Sequence, residues 1–139
     1  MIRKILLASV PILFLFTLSM VSAQSTTNIE LLAIEKNEIT TIPTNSTIQL
    51  ETEKIIREID TVLKKFNPIP DNGYIVKIPL NPSLRLENKW VNAMISEVII
   101  IIQEEEAPYL LIFDNENRPC FFTFKKEINT LLKSLHLPL

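Results

Sequence analysis

The chain has 139 residues, room for one domain, with 14 basic residues against 16 acidic and a single glycine, a single cysteine and a single histidine. One glycine, Gly73, where about 7% is usual, excludes Gly-rich phosphate loops and dinucleotide fingerprints, which need several residues without Cβ. The lone Cys and lone His exclude an intramolecular disulfide and any multi-Cys or multi-His zinc site, and a mildly acidic chain without a basic run is unsuited to a nucleic-acid partner.

Met1 to Lys4 forms a short positive region, Ile5 to Met20 is an almost wholly apolar run broken by Pro11, and Val21-Ser22-Ala23 offers a signal-peptidase site before Gln24. This reads as a signal peptide over 1–23, cleaved on export, which leaves a single α+β domain over 24–139 in the periplasm or outside the cell with no stable membrane insertion. The alternative is a retained anchor, because the apolar run approaches the roughly 20 residues that span a bilayer.

Along the exported part, Ile29 to Ile34 and Ile39 to Ile42 are short apolar or β-branched runs around Glu35-Lys36-Asn37-Glu38, which predicts a hairpin with Asn37 in the left-handed position usually held by glycine. A helix from Asn28 is the alternative there. Between Thr47 and Phe66 the apolar positions Ile48, Ile55, Ile56, Ile59, Val62, Leu63 and Phe66 fall at helical spacing, which predicts one long helix with Ser46 and Gln49 as a capping box and Pro68 as its stop. Asn45-Ser46-Thr47 also fits a glycosylation sequon. Asp71-Asn72-Gly73 makes a turn, after which Tyr74, Val76, Ile78 and Leu80 alternate as the inward face of a strand and Ile75, Lys77 and Pro79 face outward. A proline cannot donate to a ladder, so Pro79 argues for an edge or a strand end.

Val98-Ile-Ile-Ile-Ile102 is β-branched, apolar on both faces and too short to span a membrane, the pattern of a central strand in a covered sheet. Tyr109 to Phe113 and Cys120 to Phe124 predict two further strands around the polar turn Asp114 to Arg118, and Ile128, Leu131, Leu132 and Leu135 a closing helix. The sum is an α+β fold, an antiparallel sheet of about five strands with one long central helix and a C-terminal helix.

The stretch Ile34-Glu-Lys-Asn-Glu-Ile-Thr-Thr-Ile42, then Leu50 to Ile59 and Phe66-Asn-Pro-Ile-Pro-Asp-Asn-Gly73, resembles the C-terminal domain of TonB-type energy transducers over residues 29–86. Phe66 and Pro68 stand for that family's aromatic-x-Pro, Asn72-Gly73 for its turn, and Tyr74 to Leu80 with Leu84-Arg-Leu86 for its last strand. The family's Tyr-Pro opening and proline-rich spacer have no counterpart, and 87–139 is a strand-rich extension beyond the pattern. The resemblance implies a sheet-and-helix fold that binds partner peptides by strand pairing.

Of the chemistry-bearing residues, Cys120 and His136 offer a nucleophile and base with nothing near in sequence to orient them, and the Glu104 to Glu106 and Asp114 to Glu116 clusters are separated by a strand. Trp90 and Tyr109 are candidates for lining a pocket. No catalytic residue, metal ligand or cofactor is assigned. The reading is a small exported, non-catalytic module that binds an envelope protein or extended peptide through Ile75, Lys77 and Pro79; the alternative is a small secreted hydrolase or ligand-binding protein whose site is assembled from scattered residues. Intact-mass analysis of the exported chain should show an N-terminus at or within a few residues of Gln24, and Met1 retained in a membrane pellet would instead establish the anchor.

Overall fold

A computed structural model describes residues 28–64 and 68–138. The stretch 1–23 expected to be a signal peptide lies outside these residues, as does Phe66. One seven-stranded antiparallel sheet carries two short helices on one face. The strands are β1 (Asn28–Ala33), β2 (Glu38–Pro43), β3 (Ile59–Val62), β4 (Tyr74–Glu87), β5 (Asn92–Ile102), β6 (Tyr109–Phe113) and β7 (Pro119–Phe124), in the spatial order β2-β1-β4-β5-β6-β7-β3. Helix α1 (Ser46–Arg57) follows β2, and α2 (Asn129–Ser134) closes the chain.

The α+β class stands, but among the described residues the sheet has seven strands rather than five, and no long central helix forms. The apolar spacing that predicts a helix to Phe66 is interrupted at Glu58, whose N–H closes the helix on Lys54 and Ile55 carbonyls. Ile59 to Val62 then pair with Phe122 to Phe124 on β7. Ile59, Thr61 and Val62 are β-branched, and a ladder with β7 satisfies their backbone while Ile59 and Val62 still pack on the core. The cap is also one residue earlier than expected: Asn45 Oδ1 accepts from Ile48 N at 2.9 Å. The sequon asparagine is therefore the helix cap.

The middle of the sheet forms as its sequence dictates. β5 is the fourth of seven strands, flanked by β4 and β6, and Ile100, Ile101 and Ile102 are all at most 2% exposed. Register fixes two opposed rows. Leu31, Val76, Ile100, Leu110 and Phe122 lie across from one another under the helices, where Ile48, Ile55, Ile56, Leu131 and Leu135 complete the core. Leu32, Ile75, Ile101 and Tyr109 form the neighbouring row on the opposite face. On this second face the Tyr109 hydroxyl donates to the carbonyl of Pro68, which precedes β4.

The expected turns hold at both hairpins. Asn37 has φ 50° between β1 and β2, and Asn117 has φ 62° between β6 and β7. Gly73 has φ +100°, its carbonyl accepts from Ile34 N, and a Cβ there would lie 2.1 Å from the Ile102 carbonyl oxygen. The one glycine stands where the start of β4 presses against the end of β5.

Glu51, with 10% of its side chain exposed, pairs with Lys126 at 3.2 Å and Lys54 at 3.7 Å and so ties α1 to the approach to α2. The apolar face of α1 is the main helical contribution to the core. Ile55→Ala should lower stability in urea melts by about 2–4 kcal/mol through lost transfer energy and the cavity left behind. Leu50→Ala on the same helix, where Leu50 is 51% exposed, should cost less than about 0.5 kcal/mol.

Candidate functional site

An antiparallel sheet binds an added strand only where a backbone edge is unpaired. The strand Tyr74 to Leu80 alternates as expected, with Val76, Ile78 and Leu80 buried and Ile75, Lys77 and Pro79 turned to the other face. Its edges are taken, however. β4 lies between β1 and β5: Ile75 is opposite Leu32 and Ile101, and Lys77 is opposite Glu30 and Ile99. The expectation of a free edge at Ile75 and Lys77 is corrected by this topology, because β1 returns from the hairpin to pair with β4.

Pro79 occupies a different position. The β1 ladder ends at the Glu30–Lys77 pair, so Pro79 lies beyond it, as a residue without an N–H should. From Leu80 to Ser83 the strand bulges, four residues standing opposite Ser96 alone between the pairs Pro79–Glu97 and Leu84–Ile95. The Gln49 carboxamide on α1 fills the gap. Its Nε2 donates to the Pro79 carbonyl at 2.8 Å and to Thr44 Oγ1 at 2.9 Å, and its Oε1 accepts from Asn81 N at 3.1 Å. A primary amide presents the same donor and acceptor as a peptide group, so Gln49 pairs with β4 where β1 has run out. The concavity around it is lined by Thr44, Leu80, Asn81, Ser83, Ser96 and Glu97.

The two outer strands differ in how they are protected. β3 has four residues with a register shift between Ile59 and Thr61, and Asp60, the residue at that shift, pairs with Lys125 at 3.8 Å. Short, bulged and charged edges resist pairing. β2 has none of these devices over its centre. Its six residues pair with β1 in unbroken register from Ala33–Glu38 to Asn28–Pro43, and Ile39-Thr40-Thr41-Ile42 is uncharged and wholly β-branched. Only Ile42 is partly covered, and Ile39 is 69% exposed.

The other residues singled out in the sequence are used structurally. Cys120 is half-buried on β7, burial pushes its thiol above the ordinary value, and its sulfur faces the Arg118 carbonyl at 3.7 Å. His136 is exposed in a left-handed conformation just past α2. Trp90 is half-buried with its ring 5.8 Å from Phe122, and Tyr109 is buried. Asp114 closes its turn by accepting from Arg118 N and Glu116 N at 2.9 Å each and from Arg118 Nε at 2.8 Å; the Arg118 backbone bond foremost holds its carboxyl below the ordinary value. Among the described residues no three His, Cys, Asp or Glu side chains gather where they could hold a metal ion, and no helix is long and apolar enough to cross a membrane.

Comparison with protein-family models, with curated proteins and with solved structures finds no match to the chain. The residues that sequence reasoning missed are Ile39 to Ile42 and Gln49. A hairpin is visible in the first, but which of its strands ends the sheet depends on the arrival of β4. Gln49→Ala should leave the Asn81 amide without its acceptor, speed its hydrogen exchange and cost about 1 kcal/mol. Gln49→Glu keeps an acceptor for Asn81 and loses the donor to Pro79, so exchange at Asn81 should stay close to that of the parent while stability falls.

Proposed function

We propose that this chain is a small exported, non-catalytic interaction module that binds an extended protein segment by strand pairing, and that the pairing edge is the outer side of β2, Glu38–Pro43. The observation that carries the reading is the contrast between edges. β3 is short and bulged, and β4 beyond the β1 ladder is broken by its bulge and bridged there by Gln49, whereas β2 is regular, uncharged at its centre and exposed. An added strand would gain affinity from main-chain hydrogen bonds and specificity from the alternating side chains Ile39 and Thr41 on one face and Thr40 and Ile42 on the other. The resemblance of residues 29–86 to the TonB C-terminal domain supports the same mode of binding, and the signal-like leader supports a partner in the periplasm or outside the cell.

The concavity around Gln49 favours a second reading, a ligand-binding protein. It offers hydroxyl and amide groups from Thr44, Asn81, Ser83 and Ser96 with the carboxylate of Glu97. It stands second because the Gln49 amide, its most directed polar group, is already committed to Thr44 and β4.

A photo-crosslinking residue at Thr41 tests the β2 edge in expressing cells, with the same residue at Lys125, whose side chain is 73% exposed next to the β3 edge, as the control. A discrete adduct at Thr41 and none at Lys125 is expected. The reading is overturned by equal adducts at both positions or by none at Thr41.

A further inference from the structure

We infer that the strand which completes the β2 edge is β2 of a second copy of this chain, so that two seven-stranded sheets join into one across a two-fold axis. This rests on the β2-edge reading above and names the partner of that same edge.

The first support is charge and register. In an antiparallel pair, residues directly opposite one another project to the same face, so a two-fold axis normal to a continuous sheet passes through a residue that meets its own copy. For the strand Glu38–Pro43 the central choices are Thr40 and Thr41. Centred on Thr40, Glu38 faces Ile42 of the second copy; centred on Thr41, Glu38 faces Thr44. In neither arrangement do like charges oppose, which is the usual obstacle to self-pairing. In either arrangement β-branched residues meet across the join: Ile39 and Thr41 about Thr40, or Thr40 and Ile42 about Thr41.

Continuity is the second support. Ile39 ends the second-face row Ile39, Leu32, Ile75, Ile101 and Tyr109, which runs from 69% exposed at Ile39 to 2% at Tyr109. A second copy extends this row and covers Ile39, while keeping the helices of both copies on one side of the joined sheet. Closure is the third. Pairing β2 with itself is isologous and uses the β2 edge of both copies at once, so that β3, the short bulged strand, ends the joined sheet on each side. The product is a dimer and not a fibre.

The test combines sedimentation with cysteine scanning on the chain as the cell processes it, in a Cys120→Ser background. The parent should sediment at twice the monomer mass, and Thr40→Lys with Thr41→Lys, which places a like charge on the axis at exposed positions, should return it to the monomer mass with an unchanged circular dichroism spectrum. Single Glu38→Cys, Ile39→Cys, Thr40→Cys, Thr41→Cys and Ile42→Cys variants should form disulfide dimers most readily at whichever of Thr40 and Thr41 lies on the axis, with yield falling on either side. A parent that sediments as a monomer at tens of micromolar overturns the inference, as does a flat crosslinking profile. If that monomer still gives a Thr41 photo-adduct with a different protein, self-pairing fails and the β2-edge reading stands. If it gives none, both fail.

Discussion

The β4–β5 ladder is the constraint on which the rest depends. β4 has fourteen residues and β5 eleven, and their pairing runs from Tyr74–Ile102 to Glu87–Asn92. β5 is isoleucine-rich at one end, so it buries apolar side chains on both faces and requires a neighbour on each side. β4 fills one side along its length, and β6 the other over Ile99 to Ile101, at the isoleucine-rich end. The tight junction at Gly73 follows from the same pairing. Tyr74 must enter opposite Ile102, which brings the preceding turn against the Ile102 carbonyl and leaves no space for a side chain. A left-handed backbone with no Cβ meets that geometry, and among the described residues Asn37, Asn117 and His136 take the other left-handed positions.

Length mismatch explains the next layer. β1 pairs with only the first four residues of β4, Tyr74 to Lys77, while β5 follows β4 to its end. The excess of β4 on the β1 side has to be completed by something, and the local answer is α1. Its cap at Asn45 sets the helix over the sheet, one turn on, Gln49 faces the bulge, and its amide pairs with Pro79 and Asn81. Ile48, Ile55 and Ile56 beside it bury in the core, so the helix that plugs the edge also roofs the sheet. Packing of the core and two backbone groups at the bulge, the Pro79 carbonyl and the Asn81 N–H, are thus met by one element.

Sequence reading reached the parts of this fold that are decided locally. β5, β6 and β7 are written in β-branched and aromatic runs bounded by polar turns, the β1–β2 hairpin in its Asn37 turn, and the C-terminal helix in Ile128, Leu131, Leu132 and Leu135. The alternation of Tyr74 to Leu80 gave the correct faces. What was not legible depends on partners distant in the chain. Ile59 and Val62 stand at helical spacing from Ile55 and Ile56, and only the arrival of β7, some sixty residues later, makes them a strand. Pro79 truthfully signals an unpaired backbone, but nothing local says that Gln49, thirty residues earlier, faces it. Edge assignment is the same problem in its strongest form: every strand of a sheet is locally alike, and which one is left bare is a property of the whole topology.

β2 draws its interest from that topology. Among the described residues it hangs on the sheet through β1 alone and contributes only Ile42, partly, to the core, so apolar burial gives it little hold on its own sequence. A strand in that position is free to carry lysines or a bulge, the ordinary defences of an edge, at almost no cost to stability. It carries Ile39-Thr40-Thr41-Ile42 instead, in a chain whose other edge, β3, keeps both a bulge and a charge pair. β-branched side chains in extended backbone gain most when flanked by a ladder on both sides, because cross-strand contacts then cover both flanks of each residue. Within the monomer β2 has one such flank. Its composition is therefore that of an interior strand placed at an edge, and a second strand against its outer side is what turns that placement into an ordinary one.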